Sequence, residues 1–193
     1  MESVVNARDV DYEGRLGKFT YNTGEFELRH RYTETGVFEI LTYRGNELYG
    51  ENIHIPDGIV NISYMFENKS IKTAPMIPAT VKIADYAFKD CVSLQQGAAL
   101  PDGLESCGFL YKNCRSMLSG SHMPNSVISA PYMYDGCISL YEPGSLSNQL
   151  RFASGLYRNC KNLRVMPTLP PTVERADYIV KGCDYLNRTA KMY

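Results

Sequence analysis

Tryptophan is absent from this chain, and histidine occurs only as His30, His54 and His122. None of the three sits in a nucleophile or metal motif. The sequence has no CxxC pair, no GxSxG elbow, no phosphate loop and no HExxH helix. These absences remove the recognisable routes to metal, acyl-transfer and phosphate chemistry. We therefore expect no enzyme, and no catalytic, cofactor-binding or metal-binding residue. Long apolar runs are also missing. No stretch approaches the roughly 18 apolar residues of a membrane span, and residues 1–19 hold no apolar run of signal-peptide length. The expectation is a cytoplasmic protein, with the bacterial surface or secretion as the alternative if a leader was removed. Charge of one sign is not in excess: 20 Lys and Arg stand against 21 Asp and Glu. With no basic block there is no footprint for nucleic acid.

What is present is regular. Hydrophobic residues make up 44% of the 193 and charged residues 21%, enough to build a core. Aromatic volume comes instead from 15 tyrosines. Cys91, Cys114, Cys137, Cys160 and Cys183 are evenly spaced, each the twenty-third residue after the last. Pro78, Pro101, Pro124 and Pro170 keep the same beat, with Ser147 in the proline slot of one copy. Pro56 opens the array, and the first interval is one residue shorter than the rest. Taking this slot as position zero, position three is Ile59, Val81, Leu104, Val127, Leu150 and Val173. Position six is Ile62, Ala84, Cys107, Ala130, Ala153 and Ala176. Position nine is Met65, Ala87, Leu110, Met133, Leu156 and Ile179. Position ten is Phe66, Phe88, Tyr111, Tyr134, Tyr157 and Val180. The cysteines stand at position thirteen, where the first copy has Lys69.

Positions six, nine, ten and thirteen share the i, i+3, i+4, i+7 spacing of one helix face, so the pattern predicts a short helix in each unit. Ser63, Asp85 and Ser154 at position seven suit its N-cap. Asn68, Asn113, Gly136, Asn159 and Gly182 at position twelve suit a left-handed C-cap. A return strand is predicted after the leucine of position sixteen, ending before the proline. Upstream, residues 18–21, 25–32 and 37–43 read as strands, with a hairpin turn at 33–36. Residues 1–15 read as an arm or a weak first strand. The expected organisation is an N-terminal β-hairpin-containing cap over 1–53 and a repeat array over 54–193.

A period in this range with one strand and one short helix is that of a leucine-rich-repeat solenoid. The pattern LPxxVxxAxxYxFxxCxSL resembles the BspA-like leucine-rich repeats of bacterial surface and secreted proteins, most clearly over residues 69–94. The predicted fold is thus an α/β leucine-rich-repeat solenoid with a β-rich cap, built of about six repeats of roughly 22–23 residues each. The resemblance implies a binding fold, and a non-catalytic protein-binding scaffold is the expected function. A phage or mobile-element inhibitor of a host defence protein and a fragment of a bacterial surface adhesin are the alternatives.

Two surfaces are candidates for the partner. One is the return segment, where residues differ from copy to copy: Gln95, Gln96, Ser119, Ser121, His122, Tyr141, Glu142, Arg164, Val165 and Arg188. Of these, Gln96, His122, Tyr141, Glu142 and Arg164 are the predicted partner-binding residues. The other is the position-eight column, Tyr64, Tyr86, Phe109, Tyr132, Gly155 and Tyr178, in which Tyr86 and Tyr132 would contact a partner if the column is an exposed stripe. A packed aromatic ladder is the favoured reading of that column. Position eleven, with Glu67, Lys89, Lys112, Asp135, Arg158 and Lys181, reads as a solvated face. The cysteines read as a reduced interior ladder. The C-terminal edge lacks a polar capping segment, which predicts weak self-association there.

Overall fold

In a computed structural model the structure describes residues 5–10, 16–21, 25–33 and 36–189. Two antiparallel hairpins open the chain, β1 (Val5–Val10) with β2 (Leu16–Tyr21), and β3 (Phe26–Thr33) with β4 (Gly36–Tyr43). In the second, Phe26 pairs with Tyr43, Leu28 with Leu41 and Thr33 with Gly36; the predicted turn residues Glu34 and Thr35 lie outside the described residues. Phe26, Leu41 and Tyr43 are buried. Tyr43 donates its amide to Met65 O at 2.8 Å and sets its ring 5.3 Å from that of Phe66. The second hairpin is thereby seated on the start of the repeats.

The repeats do not contain the helices that their spacing predicts. Positions six to thirteen form consecutive tight turns instead. In the second repeat Ala87 N bonds Ala84 O, Lys89 N bonds Tyr86 O and Cys91 N bonds Phe88 O, at 3.1–3.2 Å. The amides between them point out of the repeat. Ala84, Tyr86, Phe88 and Asp90 donate to Ser106, Gly108, Leu110 and Lys112 of the next repeat at 2.8–2.9 Å. The same alternation recurs down the array. Half of the segment's amides close turns and half join neighbours, so no i→i−4 ladder can form.

The backbone explains why. Position twelve has the left-handed conformation expected of it, from Asn68 at φ 63° to Gly182 at φ 79°. Position eight is left-handed too, and there the residues are aromatic: Tyr64, Tyr86, Phe109, Tyr132 and Tyr178 have φ between 54° and 62°. Two left-handed residues four apart interrupt any right-handed helix. For a bulky side chain that conformation costs roughly 1–2 kcal/mol. Stacking offsets much of it, since parallel rings contribute about 0.5–1.5 kcal/mol beyond their burial. Tyr64 stacks on Tyr86 at 4.6 Å, Tyr86 on Phe109 at 4.5 Å and Phe109 on Tyr132 at 5.0 Å. The ladder stops at Gly155 (φ 63°), where a Cβ would stand 2.2 Å from the Tyr132 ring.

A second aromatic ladder runs through the core at position ten. Phe66, Phe88, Tyr111, Tyr134 and Tyr157 stack with centroids 5.2–5.7 Å apart, all fully buried or nearly so. The tyrosine hydroxyls reach the return side. Tyr111 Oη accepts from Ala98 N at 2.8 Å and Tyr134 Oη from Ser121 N at 2.9 Å, while Tyr157 donates to Pro143 O at 3.1 Å. These bonds account for a second departure. The predicted return strand is reduced to isolated parallel bridges, Gln96 with Ser119 and Ser119 with Glu142. Two residues further on, the amides of Ala98 and Ser121 go to tyrosine hydroxyls of the next repeat rather than to its backbone carbonyls, which interrupts the strand ladder there. A matching series of bridges joins position five, from Asn61 and Ile83 to Phe152 and Arg175.

All six cysteines are free and buried. Each position-thirteen thiol donates to the position-ten carbonyl of the preceding repeat: Cys91 to Phe66, Cys114 to Phe88, Cys137 to Tyr111, Cys160 to Tyr134 and Cys183 to Tyr157, at 3.0–3.1 Å. The recurrence of cysteine follows from this geometry: a small apolar side chain whose weak donor meets a buried carbonyl. Cys107, in the alanine column, lies 3.7 Å from Met133 Sδ. Burial pushes the thiols up, to about 12 for Cys91.

Position eleven is not a uniformly solvated face. Asp135 is 2% exposed and receives both Arg158 Nε and Nη2, at 3.0 and 2.8 Å, with Lys112 Nζ at 3.5 Å and Asn159 Nδ2 at 3.0 Å. Lys89 pairs with Glu67 at 2.7 Å. Opposite charges stand on neighbouring repeats in both pairs, and stacking brings them together. At the far end, the helix α1 (Asp184–Thr189) takes the place of the next return segment. The amides of Ala176, Tyr178, Val180 and Gly182, in the slots that elsewhere join one repeat to the next, form no backbone bond of that kind among the described residues.

Candidate binding ridge

Four repeats are tied along position seventeen. Leu118 N bonds Gln95 O at 3.0 Å, Tyr141 N bonds Leu118 O at 3.1 Å and Arg164 N bonds Tyr141 O at 3.3 Å. This places Gln95, Leu118, Tyr141 and Arg164 in one row, all exposed. The next position sets Gln96, Ser119, Glu142 and Val165 beside it; Ser119 is half-buried and the other three are exposed. Four of the predicted partner-binding residues, Gln96, Tyr141, Glu142 and Arg164, are therefore brought into one ridge. His122 lies three positions further along its repeat, exposed, with Nδ1 on Ser145 Oγ of the neighbouring repeat.

The C-terminal end of the ridge is built around Arg164. Its guanidinium lies over the Tyr141 ring at 5.7 Å and over the Tyr185 ring at 5.8 Å. Tyr185 is held there by the hydrogen bond that its backbone N–H donates to Lys161 O at 3.1 Å. Cation–π contact of this kind holds the long arginine side chain in place. Glu142 stands in the same row of repeats, yet no ion pair joins it to Arg164 among the described residues. Apolar surface accompanies the charge: Leu118 is 46% and Val165 63% exposed. Tyrosine, arginine and exposed aliphatic side chains at one place have the composition of an interaction surface.

The other variable residues separate. Ser121 is buried: its hydroxyl donates to Ala98 O at 2.8 Å and meets Tyr111 Oη at 3.0 Å. It belongs to the core, because the tyrosine hydroxyls of position ten need a partner there. Tyr86 and Tyr132 are half-buried members of the position-eight stack and lie on a different part of each repeat from the ridge. The Arg158 guanidinium covers the Tyr132 ring at 5.0 Å. In that column Tyr178, beyond the gap at Gly155, is widely exposed, at 61%.

Leu118 and Tyr185 were not legible as site residues. Leu118 follows the core residue Met117 directly and reads as a continuation of it. Tyr185 occurs at a position where no other repeat has an aromatic side chain. Among the described residues no helix is long and apolar enough to cross a membrane, and no group of His, Cys, Asp and Glu could hold a metal ion.

No family model and no curated protein matches the chain. Among solved structures, a leucine-rich-repeat protein of T. pallidum is similar at a TM-score of 0.60 and 20% identity, over 86% of this chain and 92% of that one. A leucine-rich-repeat protein from Bacteroides ovatus aligns over 80% of this chain and 54% of that one, at 16% identity and a TM-score of 0.36. The likeness to the T. pallidum protein, set beside the repeat-to-repeat bonding described above, gives the chain a leucine-rich-repeat fold.

Proposed function

We propose that this chain is a non-catalytic scaffold that binds a protein partner through the ridge of Gln96, Tyr141, Glu142 and Arg164. In this reading the array is a solenoid of about six BspA-like repeats, and the segment 1–53 seals its N-terminal end. The observation that carries the reading is Arg164 held between the rings of Tyr141 and Tyr185 beside exposed Leu118 and Val165. An arginine already ordered by two aromatic faces gives up less conformational freedom on binding than a free one. The flanking side chains supply apolar area that a partner can cover.

The test is affinity capture from a lysate of the encoding organism, with the parent and a Glu142→Arg/Arg164→Glu variant run side by side. A protein retained by the parent and lost by the variant, at an unchanged melting temperature, is the expected result. Retention by the variant together with loss in a folded Tyr86→Ala or Tyr132→Ala protein would move the site to the aromatic stack. Equal retention by all of them would end the ridge reading.

A further inference from the structure

A groove of about 860 Å³ lies away from the ridge, at the proline-slot ends of the first three repeats. Its size falls in the range of about 300–1,000 Å³ typical of ligand sites. Ile53, Ile55 and Ile77 form apolar parts of its lining and are themselves buried. Pro78 and Pro101 line it with backbone of restricted φ. Met76 also lines it and is 81% exposed, the largest exposure among the big apolar side chains described. A flexible thioether left in water beside an apolar lining is the arrangement that adaptable binding surfaces use.

The charge of the lining is one-sided. Glu51, Asp57 and Asp102 all contribute to it, and no described lysine or arginine does. Glu51 accepts a hydrogen bond from Thr73 Oγ1 at 3.0 Å, which orients its carboxylate. The remaining ionisable side chain of the described lining is His54, 4.0 Å from Asp57. Lys82 Nζ adjoins the lining residue Gly103 but is paired with Glu105 at 3.5 Å. An anionic ligand would still meet three carboxylates in the lining, whereas a cationic side chain would find a partner near each.

We propose that this groove is a second binding site, and that it takes an extended peptide segment of a partner protein in which a large apolar side chain is flanked by lysine or arginine. The apolar side chain lies against Met76 and the isoleucine lining. The flanking cations meet Glu51 from the segment before the array, Asp57 from the first repeat and Asp102 from the third. The groove spans three repeats, so a segment running along the array engages all of these groups at once. The site is independent of the ridge, and either can fail without the other.

The experiment uses the full chain and fluorescein-labelled hexapeptides of alternating lysine and leucine, lysine and serine, and glutamate and leucine, followed by fluorescence anisotropy. The lysine–leucine peptide should bind, and each of the other two should bind about tenfold more weakly or worse. Met76→Ser removes the apolar contact at an exposed position that tolerates polarity, so the fold should be kept and the lysine–leucine peptide should bind about tenfold more weakly. Neutralising the rim with Glu51→Gln, Asp57→Asn and Asp102→Asn should weaken it by a similar factor. Glu142→Arg/Arg164→Glu should leave it unchanged. No binding of the lysine–leucine peptide, equal binding of the lysine–serine peptide, or indifference to both the Met76 and rim substitutions would each overturn the proposal.

Discussion

The turn side and the return side of each repeat obey different rules. On the turn side, positions six to thirteen, alternate amides close turns or join repeats, and side chains repeat with them: two aromatic ladders, the thiols, and asparagine, aspartate or glycine at position twelve. On the return side position seventeen and its neighbour are tied between repeats, and the side chains there change from copy to copy. Where stacking places like side chains on one another in the core, a change in one copy must fit both neighbours. Where the backbone alone makes the connection, the side chain is free to vary from copy to copy. The ridge occupies these variable positions.

The largest test of this contrast is Tyr134→Ala. Tyr134 is buried between Tyr111 and Tyr157, and its hydroxyl accepts from Ser121 N. Its loss should cost about 3–5 kcal/mol by cavity formation and an unmet amide, read from chemical denaturation. A loss below about 1 kcal/mol, the scale of a surface change, would mean the core ladder does not hold the repeats.

Next in size is Cys137→Ser, which should cost about 1–3 kcal/mol, because a more polar group enters a buried slot. The shorter Cβ–O bond also draws the donor back from Tyr111 O, which the thiol reaches at 3.1 Å. A serine protein as stable as the parent, by the same denaturation, would show that the thiol slot tolerates polarity.

The thiols also predict a pH dependence. Burial raises the folded-state pKa, to about 12 for Cys91. A thiol in the unfolded chain ionises near about 8.5. The raised value means that the full contribution is present below the unfolded value and is lost as pH rises towards the folded one. Stability should therefore fall progressively above about pH 8.5. Melting temperatures across that range check it, with a Cys91→Ala protein showing a shallower decline.

The smallest expected effect lies on the return side. Glu142→Arg with Arg164→Glu should change stability by no more than about 0.5 kcal/mol, since both side chains are exposed. A loss comparable to that of Tyr134→Ala would erase the difference between the two sides.

Much of this organisation was legible in the sequence. The constant cysteine interval identified the units, and the apolar columns named the core: positions three, six, nine, ten and thirteen are buried through most of the array. The left-handed conformation of position twelve followed from asparagine and glycine. The aromatic and β-branched content of residues 25–32 and 37–43 located β3 and β4 almost to the residue.

Three things were decided only by the tertiary structure. The first is turn instead of helix. The i, i+3, i+4 pattern is shared by any compact segment that buries those positions, and an aromatic residue gives no sign that it will stand at positive φ, because only the stack with its neighbours makes that conformation tolerable. The second is the inside and outside of the return segment. Ser121 and His122 adjoin in sequence, yet the first is buried by the hydroxyls of Tyr111 and Tyr134 and the second is exposed. The third is which residues make up the two proposed binding surfaces. Met76 and Asp57 come from opposite ends of the first repeat and Asp102 from the third, while Tyr141, Arg164 and Tyr185 come from three separate repeats. Sequence periodicity specifies what each repeat buries in its own neighbours; which exposed groups meet across repeats depends on the stacking itself.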